Sequence, residues 1–400
     1  MKRAVLIGLA SNFLLSMACL SQTITIGFTV SQTGKLSVDS QEQLNGFELW
    51  RDQVNASGGI EAGGKHYKLR FVKYDDASSP QTVPSLYEQL ITADKSDFLF
   101  SPYSSALTAS AAPVTERYGK IMITTGAAED TTYKQGNKYL YQMFTPATEY
   151  LSSALNAIKT QDPNSSLAFL CADDSFSTLV AREGKARAWL AGMKVVSDQA
   201  YNSENSDFEA LVNKLRGANP SVLIGGGHYN DGIALARQLR ASKVNLKTAV
   251  LLVAPDSPRF AELGDAAYGV IVPSQWEPAA AFKPQVGPTG PQFVKAYLDR
   301  YNTMPSYESA GAYATGLVLQ HAIEAGGPVN TAAVASTLDA MDITTFFGRT
   351  KFSTAGSQHG LQVMHVMVLA QWQKDRSGKL VKQVIWPEAA KTAAPVFYIK

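Results

Sequence analysis

The chain has 400 residues, 45% of them hydrophobic and 18% charged, with a formal net charge of +2. That length and apolar content supply the cores of two or three globular domains, which excludes a chain too polar to fold. Lys and Arg are spread along the sequence, so there is no basic footprint for nucleic acid.

The N-terminus comes first in chain order. Met1, Lys2 and Arg3 precede an apolar stretch from Ala4 to Leu20, interrupted by Ser11, Asn12 and Ser16. This is the outline of a secretory signal over 1–21, too short and interrupted for a membrane-spanning helix. Cleavage after Ala18 places small residues, Ser16 and Ala18, at both recognition positions and makes Cys19 the first mature residue. A lipidated Cys19 would tether the exported protein to a membrane, although Ser16 stands where lipoprotein signals usually carry Leu. Cys171 then remains as the ordinary cysteine. It ends the run SLAFLC, where a free Cys behaves as a small buried hydrophobe, and no neighbouring His or Lys activates it.

From Ile24 onward, short β-branched or aromatic runs alternate with stretches of helical period, the pattern of β-α-β units around parallel sheets. The predicted strands are TITIGFTV, KLRFVKYD, DFLFS and KIMITT, then SLAFLCA, MKVVSDQAY, SVLIGGG, TAVLLVA and GVIVPSQ. Between them, Leu44, Phe47, Leu49, Trp50 and Val54 mark the core face of one helix, and Phe208, Leu211, Val212 and Leu215 that of another. The run YLYQMFTPATEY, with Pro146, separates the two strand sets and is expected to cross between lobes. PSQWEP is a second expected crossing. Helical stretches near Phe293–Arg300 and Tyr307–Ala325 follow, then FFGRTKFS and two last strands, MHVMVLAQW and VKQVIW. Three crossings make two discontinuous lobes.

In an open parallel sheet, ligands sit beyond the carboxyl ends of the strands, where loop amides and helix N-termini favour negative charge. Tyr103, Ser104 and Ser105 open a helix after DFLFS, and Thr125, Gly126 and Ala127 lie in the loop that ends KIMITT. These two donor-rich loops can face one small carboxylate, and neither contains a catalytic base. In the second strand set, IGGGHYNDG puts His228 and Tyr229 at a strand mouth. It lacks the third glycine of a dinucleotide loop, so a tight turn capped by Asn230 or Asp231 is the alternative. Asp174 or Ser175 caps the helix in CADDSFSTLVAREG, and Phe176 lies near the cleft. Asp256 either caps a turn or meets a ligand ammonium. Trp276 either packs at a crossing or forms part of an apolar ligand wall. Nucleophile-elbow, zincin, P-loop and C-x-x-C motifs are absent from the sequence. His66, His228, His321, His359 and His365 are scattered, so neither an enzyme, a metal nor a cofactor is expected.

ITIGFTVSQTG, KYDDASSP, SPYSSALTASAAPVTERYGKIMITTGA, DDSF, DGIALARQLRAS, LGDAAYGVIVPSQWEP and SYESAGAYATGLVLQHAIEAGG, in this order and spacing, resemble one known family. It is the type I periplasmic substrate-binding proteins of ABC importers, in the branched-chain amino acid and amide group that includes leucine-binding proteins. The resemblance covers nearly the whole mature chain. It implies an α/β fold of two Rossmann-like lobes with parallel-type sheets joined by a three-strand hinge, with 22–142 and 277–347 as lobe 1 and 143–276 and 348–400 as lobe 2. It also implies an exported monomer that closes on a small-molecule ligand and is read by a membrane permease.

Carried over residue by residue, Ser105 matches the Ser that holds the ligand carboxylate, with backbone near Gly126 as a further donor. Phe176 stands where the family often has Tyr, followed by Ser177 instead of Gly. Ala128 stands where amino-acid binders often have Thr, and Asp256 falls where they place an acid opposite the ammonium. With the Thr and Tyr missing, an aromatic or otherwise bulky carboxylate stands beside a branched-chain amino acid as the expected ligand. The alternatives are a ligand-sensing regulator or receptor domain on the same lobes, and a binder of the amide or urea type.

Overall fold

The computed structural model describes residues 22–242, 244–280, 282–326 and 330–396. The expected export signal and Cys19 lie outside them. The first part of the chain runs β1 (Gln22–Val30), α1 (Ser37–Ala56), β2 (Ile60–Ala62), β3 (Lys65–Asp75), α2 (Val83–Thr92), β4 (Phe98–Phe100), α3 (Ser105–Arg117), β5 (Met122–Thr124) and β6 (Leu140–Gln142). Next come α4 (Ser152–Gln161), β7 (Ser166–Ala172), α5 (Ser175–Leu190), β8 (Lys194–Tyr201), α6 (Glu209–Ala218), β9 (Val222–Gly226), α7 (Tyr229–Ser242), β10 (Thr248–Leu251) and β11 (Ile271–Ser274). The last part holds α8 (Gly290–Tyr301), α9 (Tyr307–Gly326), α10 (Thr331–Asp339), β12 (Asp342–Thr345), β13 (Gly348–Lys351), β14 (Val368–Lys374) and β15 (Leu380–Trp386).

Two sheets form the two lobes. The first has the order β2-β3-β1-β4-β5-β6 and the second β15-β14-β11-β10-β9-β7-β8. β1 pairs in parallel with both β3 and β4, and β7 with both β8 and β9. Strand order therefore reverses beside β1 and beside β7, and such reversals open crevices at the carboxyl ends of strands. Antiparallel strands close one edge of each sheet, β2 on the first and β14 with β15 on the second, while parallel β6 and β8 form the other edges.

The apolar stripe read over 41–54 is the buried face of α1. Phe47 stacks on Phe100 with ring centroids 4.5 Å apart, and Trp50 is fully buried. α9 packs along α1 because Gly316 leaves room for the Trp50 indole. A methyl group on Gly316 would sit 2.1 Å from that ring. This contact ties a helix from the last third of the chain to the first lobe. The helix caps obey local chemistry: Asp174 accepts the Ser177 N–H at the start of α5, and Thr289 and Gln292 form a capping box on α8. At α7 the expected cap takes another form, with Asp231 reaching back to the His228 N–H at 2.9 Å.

The chain passes between the sheets three times, and the passing segments are stitched together. The Thr145 N–H donates to Gln275 Oε1 at 3.0 Å, and Trp276 Nε1 donates to the Phe346 carbonyl at 3.0 Å. His365 Nε2 donates to the Phe347 carbonyl at 3.1 Å while Nδ1 meets the Thr145 hydroxyl at 2.8 Å. A carbonyl only accepts, so Nε2 carries a proton, and burial of the ring disfavours a second one. Burial pulls the His365 pKa down to about 4.

This packing is open to two tests. Gly316→Ala should destabilise the protein by about 1–3 kcal/mol through overpacking, read as a lower denaturation midpoint; an unchanged midpoint would mean that α1 and α9 adjust freely. Because His365 stays neutral when folded but protonates at its ordinary pKa when unfolded, its stabilising contribution is present above pH ~6.5 and lost as pH falls toward 4. His365→Gln should therefore lose less stability than wild type across that window, by at most about 3 kcal/mol, measured by chemical denaturation at several pH values.

Candidate functional site

Loops at the carboxyl ends of five strands converge on one cavity. Tyr103 and Ser105 come from β4, Gly126 and Ala128 from β5, Phe176 from β7, His228 from β9 and Val253 from β10. The crossing after β6 adds Phe144 and Tyr150, and the first turn of α9 adds Tyr307 and Glu308. The cavity these residues enclose is small, about 20 Å³, room for about one water molecule, so the walls stand close together. A wider mouth beside it is lined by Lys35, Ser104, Ser105, Asp174, Ser203 and His228, among others.

The walls meet directly. Tyr103 of the first lobe places its hydroxyl 3.2 Å from His228 Nδ1 of the second, and His228 Nε2 lies 3.8 Å from Asp174. The Tyr150 and Tyr307 hydroxyls pair at 3.0 Å. Phe176 packs edge-on against Tyr150 with centroids 5.1 Å apart. Burial raises the pKa of Tyr103, Tyr150 and Tyr307, so all three remain neutral hydroxyls. The rings make an apolar enclosure with a few polar points.

Two residues at the cavity and its mouth sit on strained backbone. Ser104, the N-cap of α3, has φ 87° and ψ 151°, a region used almost only by glycine, and its side chain accepts the Leu107 N–H. Val253 has φ 48° and ψ −67°, and the Ala254 N–H closes onto the Leu252 carbonyl at 2.6 Å. That is a γ-turn of the rare hand around a β-branched residue. Strain of this kind gathers at ligand sites, and here it sets the start of α3 and the floor of the second lobe. Ser105 is the first residue of α3. Its Oγ accepts the Glu129 N–H at 3.1 Å, leaving its own proton free to donate beside the helix N-terminus.

The cleft is rich in buried acids. Asp39 and Glu42 of α1 face the second lobe, accepting the Tyr229 N–H at 3.4 Å and the Ser257 hydroxyl at 2.7 Å. Glu308 is 3% exposed, and its Oε2 has no hydrogen-bond partner among the described residues. Burial first, then neighbouring carboxylates, pushes the pKa of Asp39 and Glu308 well up; burial also raises Glu42. Asp256 is fully engaged: Oδ2 accepts the Tyr307 N–H at 2.7 Å and Oδ1 meets Lys382 at 2.9 Å. Lys382 also lies 2.8 Å from Glu277.

Of the residues singled out in the sequence, Tyr103, Ser105, Gly126, Phe176 and His228 line the cavity together, and Ser104 lies at its mouth. Thr125 and Ala127 are buried behind it, the Ala127 carbonyl accepting from Tyr133 and Gln142. Tyr229 is turned aside under Arg259, 5.5 Å from its ring centroid. Asp256 caps α9, and Trp276 packs at the crossings against Phe293 and Phe346. Phe144, Tyr150, Tyr307 and Glu308 line the cavity without any signal in the sequence that marks them for it; a first-turn acid such as Glu308 reads as an ordinary helix-dipole partner. Cys171 is buried in β7, its thiol pushed up to about 12 by burial. Among the described residues, no His, Cys, Asp or Glu cluster is arranged to hold a metal ion.

The family model for periplasmic binding proteins matches residues 23–378. The chain belongs to the periplasmic binding protein family. It is a type I member of the branched-chain amino acid group, and its family comprises solute-binding proteins rather than enzymes. This periplasmic binding protein is 25% identical over 373 residues to Leu/Ile/Val-binding protein homolog 8 of Brucella melitensis biotype 1, covering 90% of each chain. Its fold is similar to LivJ of Streptococcus pneumoniae, the substrate binding protein of a branched-chain amino acid transporter, in complex with isoleucine. The TM-score is 0.74 at 22% identity, with 92% of this chain and 100% of that one covered. It is also similar to an ABC transporter solute binding protein of R. palustris in complex with benzoate, with TM-score 0.77, 16% identity and coverage of 93% and 99%. No helix among the described residues is long and apolar enough to cross a membrane.

The strain at Ser104 is directly testable. Ser104→Gly should melt at or above the wild-type temperature, because relief of the backbone offsets the few tenths of a kcal/mol lost with the cap. Ser104→Ala keeps the strain and loses the cap, at about 1 kcal/mol; equal melting of the two variants would contradict the strained geometry.

Proposed function

We propose that this protein is the extracytoplasmic solute-binding component of an ABC importer. It captures a small carboxylate, an amino acid or an aromatic acid, by closing its two lobes, and the closed form is what a membrane permease receives. The observation that carries this reading is the composition of the cavity wall: both sheets contribute strand-end loops, and Tyr103 and His228 touch across the gap. A ligand held by both walls favours closure, since only contacts made better in the closed form shift such an equilibrium. The carboxylate is assigned to Ser105 and the N-terminus of α3, where the helix dipole and free donors favour negative charge. The rings of Phe144, Tyr150, Phe176 and Tyr307 suit an apolar or aromatic remainder.

A thermal-shift screen of apolar and aromatic amino acids and aromatic acids tests the assignment. A true ligand at 100 times its Kd adds about 2.7 kcal/mol of stability. Ser105→Ala should weaken that ligand by roughly 10- to 100-fold through loss of a charge-assisted hydrogen bond, and unchanged affinity would remove Ser105 from the site. Small-angle scattering checks closure independently: the radius of gyration should fall on ligand addition.

A further inference from the structure

We propose that closing the lobes draws a proton onto Asp39, the acid in the first turn of α1 that meets the second lobe, so that mild acid favours the closed form whether or not a ligand is present. This rests on the lobe closure proposed above and is independent of what the cavity binds. Asp39 is 2% exposed, and its partner across the cleft is the Tyr229 N–H at the start of α7. That bond is long, at 3.4 Å, and one weak donor replaces the water that an open cleft supplies. A protonated carboxyl keeps an oxygen that accepts, so protonation leaves this bond in place.

The charges around Asp39 are mostly of its own sign. Glu42 lies one turn further along α1 and accepts the Ser257 hydroxyl, and Glu308 comes from α9. From the second lobe, Asp231 of α7 and Asp256 after β10 face it. On the proposed motion, closing brings these two toward it. The nearby cations are engaged elsewhere. Lys382 of β15 pairs with Asp256 and Glu277, Lys35 before α1 meets Ser203 and Glu204, and Arg259 lies over the Tyr229 ring. His228 gives its backbone N–H to Asp231 and sets its ring between Tyr103 and Asp174. Tyr103 and Tyr150 stay neutral hydroxyls. The N-terminus of α1 favours the carboxylate, but equally in both forms.

Desolvation, then Glu42 and the acids across the cleft, holds the Asp39 carboxyl well above the usual carboxylate range. In an open cleft water reaches it, and its pKa returns toward ~3.9. The closed form therefore binds the proton more tightly. Its advantage is absent at high pH, appears as pH falls through the closed-form pKa, and is complete below the open-form value. Between the two, the ratio of closed to open molecules rises by up to about tenfold per pH unit for one proton.

Small-angle scattering from the ligand-free protein between pH 8 and pH 5 tests this, with Asp39→Asn as the comparison. The wild-type radius of gyration should fall as pH falls. Asp39→Asn puts an uncharged side chain of nearly the same shape there, so it should be compact at pH 8 already and change little. A wild-type radius that is the same at both ends of the range overturns the proposal. So does an acid-driven compaction that persists in full in Asp39→Asn, which assigns the proton to another group such as His228 or Glu308. Adding leucine, phenylalanine or benzoate separates this failure from failure of the closure reading. Compaction with one of them but not with acid removes the proton linkage alone, and a radius that neither changes removes closure as well. Circular dichroism at each pH confirms the fold, and Asp39→Ser, which also removes the charge, serves if Asp39→Asn does not fold.

Discussion

A parallel sheet delivers the carboxyl ends of all its strands to a single edge, and the rest of this molecule is organised by that constraint. The strands themselves are largely buried and carry almost no chemistry. The loops after them carry it: β4, β5, β7, β9 and β10 each end in a loop that reaches the same cavity. Strand order reverses at β1 and at β7, so helices leave to opposite sides there and a crevice opens in each sheet. Two such crevices, turned toward each other by the crossings, make one enclosed site from residues up to 205 positions apart in the chain, Tyr103 to Glu308.

Acceptors and donors are distributed unevenly between the lobes. α1 brings Asp39 and Glu42, and their partners, the Tyr229 amide and the Ser257 hydroxyl, come from the other side. Desolvating an acid is unfavourable unless donors replace water, so each of these pairs makes the closed arrangement specific as well as compact. Glu308 is the exception, a desolvated acid that faces the cavity instead of a protein donor.

Much of this is legible in the residues. The nine internal strand runs and the α5 cap arise from period and capping chemistry that act over a few residues, and they lie where the pattern puts them. β2 is missing from the predicted strands, although the Gly63-Gly64 turn that joins it to β3, with φ of 57° and 72°, is a strong two-residue turn signal; β6, β12 and β13 are missing too, since strands of three or four residues have too little alternation to stand out. Phe144 and Tyr150 are hidden because a crossing segment has no period from which a facing direction can be read. Trp276 and Asp256 carry two readings each, and the choice depends on partners far away in sequence, the Phe346 carbonyl and Lys382. Burial and partnership are properties of the assembled lobes. Local chemistry nominates a residue, and tertiary neighbours decide whether it is still free.

The hold of Asp256 on the first amide of α9 joins a loop of one lobe to a helix anchored on the other through Trp50 and Gly316. Separating the lobes has to release that amide while Lys382 keeps the carboxylate. On the proposed opening and closing of the lobes, the end of α9 is a molecular gauge of how far the jaws stand apart: its leading turn is sealed when they meet and open to proton exchange with water when they part.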